Sequence, residues 1–274
     1  MSIITEAMRR ATQQRQASAA AAHMPEGRQR VRQRSAPTTE QINTSFSFGS
    51  ATLDPTVMAR SKVLTHLDDR AARRAYKILR TRVLQRLEQQ QWRSLAVTST
   101  AVAAGKTLTA VNLALALAQD PNTWVFLVDL DLQRPNVANT MGMTHGPGIA
   151  DYLQGRATFE EVVYDVGIER LSVAPAGTPT QQSSELLSST RMSEFAAALE
   201  QLSPRPIVVF DVPPLLVSDD VLTIAPQVDS MLLVATEGVT IRSALEQARE
   251  VLTDMNVLGV VLNRSSERDE SPYY

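Results

Sequence analysis

One glycine, one lysine and one threonine, Gly105-Lys106-Thr107, sit at the join of an apolar run and an apolar helix in SLAVTSTAVAAGKTLTAVNLALAL. A helix N-terminus offers N–H groups without intrahelical partners and the positive end of its dipole, so anions bind there. Lys106 can reach the outer phosphates of a nucleotide, and the Thr107 hydroxyl can ligate Mg²⁺. The stretch Ala103, Ala104, Gly105, Lys106, Thr107 and Leu108 is therefore the expected nucleotide-binding loop. Three aspartates strengthen that reading. Asp129 and Asp131 close the run VFLVDLDLQRP, and Asp211 closes PIVVFDVPP. A carboxylate placed after four apolar residues is costly to bury unless a cation serves it. Mg²⁺ takes such oxygen ligands and completes its octahedron with phosphates and water.

These residues need a frame that gathers strand ends. Six near-continuous runs read as strands: SLAVTST, TWVFLVD, RLSVAPA, PIVVFD, SMLLVAT and VLGVVLN. Helical stretches at Thr107–Gln119, Thr190–Leu202 and Arg242–Met255 separate some of them. Short Val/Ile/Leu strands alternating with helices imply an α/β fold, a mostly parallel sheet with helices on both faces. Ligands of such sheets bind beyond the carboxyl ends of the strands. Upstream, RAARRAYKILRTRVLQRLEQQ reads as an amphipathic helix, with Ala75, Ile78, Leu79, Val83 and Leu87 on its apolar face.

The chain has 274 residues, 43% hydrophobic and 20% charged, enough for one large core or two small ones. Its net charge of −2 gives no reason to expect nucleic acid, and the absence of cysteine excludes disulfides and thiolate chemistry. His23, His66 and His145 show no metal-ligand spacing. No apolar run approaches a bilayer span, and the N-terminus has no signal segment, so a cytoplasmic location is expected. Residues 1–60 are read as a flexible, basic, low-complexity arm: Met1 to Glu40 carries seven arginines against three glutamates. Within it, Ser2–Arg15 has the spacing for a short helix. Residues 65–264 form the expected catalytic domain, and 265–274 a short flexible tail with Tyr273 and Tyr274.

With these motifs in order, the chain resembles the bacterial tyrosine autokinases (BY-kinases) of capsule and exopolysaccharide synthesis, within the P-loop ATPases. VDLDLQRP resembles their Walker A′ motif and FDVPPLLVSDD their Walker B segment. GPGIADYLQGRATFEEVV, APAGTPTQQSSELLSS and VLGVVLNR follow the family pattern, over roughly Ala71 to Arg264. The resemblance implies ATP and Mg²⁺ as cofactors, with phosphates held by Lys106 and Thr107. It implies that Asp129 acts at the metal and helps deprotonate the incoming tyrosine, and that Asp131 supports it. Asp211 then binds Mg²⁺ with Thr107, Asn263 contacts the adenine, and Tyr273 and Tyr274 are phosphoacceptors. The implied partner is a transmembrane polysaccharide chain-length regulator. Membrane attachment, at the inner face, comes through that partner or the basic arm.

Three departures bear on this expectation. Val102-Ala103-Ala104-Gly105-Lys106 stands where the family loop reads proline-glycine-glutamate-glycine-lysine, and Thr100 opens the loop. Alanine tolerates positive φ less well than glycine. Arg74, Lys77 and Arg80 occupy the family's oligomer-contact motif, where the first residue is usually glutamate, which bears on its ring-shaped homo-oligomer. The tail carries only two tyrosines. An alternative reading is a nucleotide-responsive scaffold of the export machinery that transfers phosphate poorly. A partitioning or division-site ATPase of the same fold would carry a signature lysine at the position of Ala101.

Overall fold

The computed structural model describes residues 47–66, 69–202 and 204–266. Its strands are β1 (Gly49–Ser50), β2 (Thr52–Leu53), β3 (Ser94–Ser99), β4 (Val125–Asp129), β5 (Met143–Thr144), β6 (Tyr164–Asp165), β7 (Leu171–Ala174), β8 (Ile207–Asp211), β9 (Ser230–Thr236) and β10 (Val257–Asn263). Eight form one sheet in the order β1-β6-β7-β4-β8-β3-β9-β10. Every neighbouring pair is parallel except β6 with β7. The strands β2 and β5 make a separate antiparallel ribbon. The six expected strands all fall in the sheet within a residue or two of their sequence limits.

The helices that matter for the site are α1 (Pro55–Arg60), α2 (Arg70–Gln90), α3 (Lys106–Ala118), α4 (Val137–Met141), α5 (Asp220–Ile224) and α6 (Arg242–Val251). Side chains of β3 alternate between two cores, with Leu95 and Val97 in one and Ala96 in the other. The first core takes Ala110, Leu113, Ala114 and Leu117 of α3, then Val83 and Leu87 of α2. The second takes Phe126, Phe210, Phe195 and Met231. The helix α3 is apolar all round because it lies between the sheet and α2, and Thr107 and all residues from Thr109 to Ala118 are buried. On α2 Val83 and Leu87 are buried and Leu79 packs against the same core, whereas Ala75 is exposed and Ile78 is 41% exposed, so the expected apolar face is covered only in part.

The expectation of a flexible arm through residue 60 is corrected from residue 47 onward. There the chain adds β1 beside β6 and sets Phe48 edge-on to Phe126 and Phe159, with centroids 5.9 and 6.2 Å apart. A Cβ on Gly49 would stand 3.0 Å from the Tyr164 ring, so glycine permits this close approach. Asp54 caps α1, and Met58, Val63 and Leu64 are buried. Asn112 on α3 fixes the segment that follows: it accepts from the Leu64 N–H (2.7 Å) and donates to the Lys62 carbonyl (3.2 Å). These few anchors pack on a surface already built by α3 and the sheet, so the segment is ordered despite its low apolar density. The remainder of the arm, the Ser2–Arg15 helix and the tail with Tyr273 and Tyr274 lie outside the described residues.

Candidate functional site

Strand β3 runs into the loop Thr100–Gly105, and α3 starts at Lys106. Ala103 adopts φ +60° and Gly105 φ +90°, so an alanine holds the left-handed turn expected to be strained. Gly105 caps α3 without a side-chain hydrogen bond, which leaves first-turn N–H groups for a ligand. Beside them lies a cavity of about 700 Å³, lined among others by Lys106, Thr107, Leu108, Asp131, Gln133 and Arg264.

The expected residues converge. Asp129 and Asp211 end adjacent strands and are register partners. Lys106 Nζ lies 2.8 Å from Asp131 Oδ2 and 3.2 Å from Asp211 Oδ1. Thr107 donates to Asp211 Oδ2 at 2.6 Å. Burial alone would pull the Lys106 pKa down, but Asp211 and Asp131 outweigh it and hold the ammonium above the usual lysine range. Burial, then the charge of Asp211, pushes Asp129 up to about 7 against the N–H groups that bond it. Burial likewise raises Asp211, in spite of Lys106 and Thr107. Three carboxylates thus share one lysine, a site short of positive charge.

Asp129, expected at metal and acceptor, is held by three backbone N–H groups. Its Oδ1 accepts from the Asp131 N–H (3.1 Å), and its Oδ2 from the Asn136 (3.0 Å) and Val137 (2.9 Å) N–H groups. It is 1% exposed and forms no part of the cavity wall. The carboxylate organises the turn into α4, while Asp131 faces the cavity. Asn263, expected against adenine, donates from Nδ2 to the Ala104 carbonyl (2.8 Å) and accepts at Oδ1 from the Arg264 N–H (2.8 Å). Of the proposed oligomer residues, Arg80 reaches the Ala116 carbonyl and Gln119 on the turn after α3, at 3.4 and 3.5 Å.

The donor set fits nucleotide and Mg²⁺ better than a metal caged by protein. Among the described residues, no three His, Cys, Asp or Glu side chains converge to hold a metal. Mg²⁺ needs only one or two protein ligands beside phosphates, and Thr107 with Asp211 offers these next to an under-neutralised carboxylate group.

Two parts of the site escaped the sequence reading. Gln133 projects into the cavity and donates to Ser183 Oγ at 2.7 Å, with Asp220 Oδ2 at 3.5 Å. Asp220, fully buried on α5, accepts from Ser184 Oγ at 2.6 Å. Its signal was the last aspartate of FDVPPLLVSDD. Arg264 lines the cavity and donates to the Ala103 carbonyl at 3.0 Å. Its signal was its place as the last residue of VLGVVLNR.

Residues 95–273 match the family described as CobQ/CobB/MinD/ParA nucleotide binding domain. The chain is 30% identical over 203 residues to the tyrosine-protein kinase YwqD of Bacillus subtilis, covering 73% of this chain and 84% of that one. It is 29% identical over 176 residues to the tyrosine-protein kinase CpsD of Streptococcus agalactiae, covering 63% and 75%. Among solved structures, the kinase domain of VpsO superposes with a TM-score of 0.62 at 29% identity, covering 77% of this chain and 96% of that one.

Proposed function

The chain belongs to the CobQ/CobB/MinD/ParA nucleotide-binding family, among its bacterial tyrosine kinases, and on that premise we propose that it is an ATP-dependent protein-tyrosine autokinase. Its expected setting is capsule or exopolysaccharide polymerisation and export, with a transmembrane chain-length regulator as partner and activator. No helix among the described residues is long and apolar enough to cross a membrane, so attachment at the inner face falls to that partner or to the basic arm.

The observation that carries the proposal is Lys106, held between Asp131 and Asp211 at the mouth of the loop. When phosphates enter, Lys106 exchanges part of its carboxylate pairing for the outer phosphate oxygens. Thr107 and Asp211 are the residues that would hold Mg²⁺, which would supply charge neutralisation at the nucleotide's phosphates. The acceptor tyrosine oxygen bonds to the γ-phosphorus as the bond to the β-phosphate oxygen breaks. The phenol proton passes to a carboxylate, and ADP leaves. Asp131 is the carboxylate we assign to that proton, because it faces the cavity, whereas Asp129 is occupied by three N–H groups. Phosphoryl transfer needs mainly positioning and charge balance, which this set supplies.

Tyr273 and Tyr274 are the proposed acceptors, reached between molecules. A Lys106→Met protein with its tail intact, mixed with an active protein lacking both tyrosines, should gain phosphate on the former when ATP, Mg²⁺ and the regulator's cytoplasmic segment are supplied. Phosphosite mapping that finds neither tyrosine labelled would refute the autokinase. The scaffold reading is favoured by one observation, the left-handed alanine in the loop; it predicts nucleotide binding with no labelled tyrosine.

A further inference from the structure

The loop's altered glycine pattern leaves a physical question, namely what holds Ala103 at φ +60° when no glycine eases the turn. Alanine in this region is disfavoured by contact of its Cβ with the following carbonyl oxygen, so an unsupported loop would relax to negative φ. The support comes from the far side of the loop. The Ala103 carbonyl accepts from Arg264 Nη2 at 3.0 Å. The Ala104 carbonyl accepts from Asn263 Nδ2 at 2.8 Å and from Thr236 Oγ1 at 3.2 Å. Three side chains from the ends of β9 and β10 therefore grip two consecutive carbonyls.

A trans peptide sets its C=O and N–H in opposite directions. Drawing the carbonyls of Ala103 and Ala104 toward β10 turns the N–H groups of Ala104 and Gly105 the other way. In sheet order β8 and β4 lie on that side, with Asp211, Asp131 and the Lys106 ammonium that they hold. Consecutive N–H groups aimed one way make an anion-binding concavity. Arg264 itself has φ +56°, which folds its side chain back over the loop instead of continuing the strand. Close packing fixes the register as well. A Cβ added to Gly105 would come within 2.2 Å of Asn263 Nδ2, so the one retained glycine of the loop lets the Asn263 amide approach.

We propose that Arg264, with Asn263 and Thr236, is an outer clamp that keeps the glycine-poor loop in its phosphate-binding conformation, which makes Arg264 a positioning residue for nucleotide capture. The proposal rests on the nucleotide-binding reading above. It separates conformational support from direct contact, because the clamp is needed only while position 103 resists the left-handed turn.

The test is a double-mutant cycle on the full chain, with ATP–Mg²⁺ binding followed by calorimetry. Arg264→Ala should weaken binding about fivefold, a loss of ~1 kcal/mol. In an Ala103→Gly background the same substitution should cost less than about twofold, since glycine accepts the turn unaided. Arg264→Lys, which keeps one donor, should recover most of the loss. Hydrogen exchange without nucleotide supplies a second readout: residues 101–107 should exchange several-fold faster in Arg264→Ala, while β3 stays protected. An equal loss in both backgrounds, with exchange unchanged, would mean that Arg264 touches the nucleotide directly and would overturn the clamp. If the intact chain binds no ATP, the nucleotide reading fails, and the exchange rates alone decide whether the clamp exists.

Discussion

Replacing Lys106 by methionine, the usual way to disable such a site, should also unbalance the fold, and the imbalance should depend on pH. The ammonium pairs with Asp131 at 2.8 Å and Asp211 at 3.2 Å, with side chains only 11%, 6% and 0% exposed. Removing the cation strands buried carboxylates, a loss of about 3–5 kcal/mol in comparable buried pairs. For a domain of this size that corresponds to a melting temperature lower by on the order of 10 °C. The sign with pH follows from Asp211, whose folded pKa already lies above its unfolded value. Without Lys106 it rises further, so the native state binds more protons than the unfolded chain across the acid-to-neutral range. The Lys106→Met deficit should therefore be largest at the alkaline end, near about pH 8, and shrink as pH falls toward about pH 5 and Asp211 takes up a proton and needs its partner less. Calorimetric melts of both proteins at the two pH values measure this. Adding Asp211→Asn to Lys106→Met should recover part of the loss at the higher pH. A deficit of equal size at both pH values, or a double variant no more stable than the single one, would refute the argument.

Ala103→Gly should raise the melting temperature by roughly 2–4 °C, because the left-handed strain of ~1 kcal/mol exists before nucleotide arrives. ATP affinity should then change less than about twofold, and a large affinity gain without a stability gain would contradict it. Phe48→Ala should cost about 1–3 kcal/mol by opening the contact with Phe126 and Phe159, read by urea unfolding. Deleting residues 1–46 should leave the urea midpoint unchanged, whereas deletion through Leu53 should lower it. Asp220→Ala should leave Ser184 and Gln133 poorly partnered, cost about 1–3 kcal/mol and slow tyrosine labelling, with Asp220→Asn milder in both.

The sheet was legible because its six long strands are continuous apolar runs whose length separates them from helices. The two-residue strands β1, β2, β5 and β6 have no periodicity to read, and they exist only because neighbours present an edge. Residues 47–60 were read as arm for a related reason: the anchors here and just beyond, Phe48, Met58, Val63 and Leu64, are scattered, and Asn112, which fastens the chain at Lys62 and Leu64, looks ordinary within an apolar helix. Lys106 and Asp211 could be placed from strand ends alone. The hydrogen-bond partners of Asp129 could not, since they depend on the reversal that brings the Asn136 and Val137 amides back over it. Ile78 kept helical spacing without burial, because periodicity specifies a face but not what covers it.

The contacts between β10 and the loop join residues 159 and 161 positions apart. Translation at about 5–20 residues per second separates their appearance by roughly ten to thirty seconds. During that interval a nascent chain already carries the loop, the lysine and, later, all three aspartates and Thr236, but Asn263 and Arg264 are not yet there to grip the carbonyls of Ala103 and Ala104. The left-handed alanine then favours the relaxed loop, so nucleotide capture is deferred until the final strand of the sheet has emerged and paired. A chain stalled on the ribosome before β10 would own Lys106 and all three aspartates and still bind its phosphates poorly.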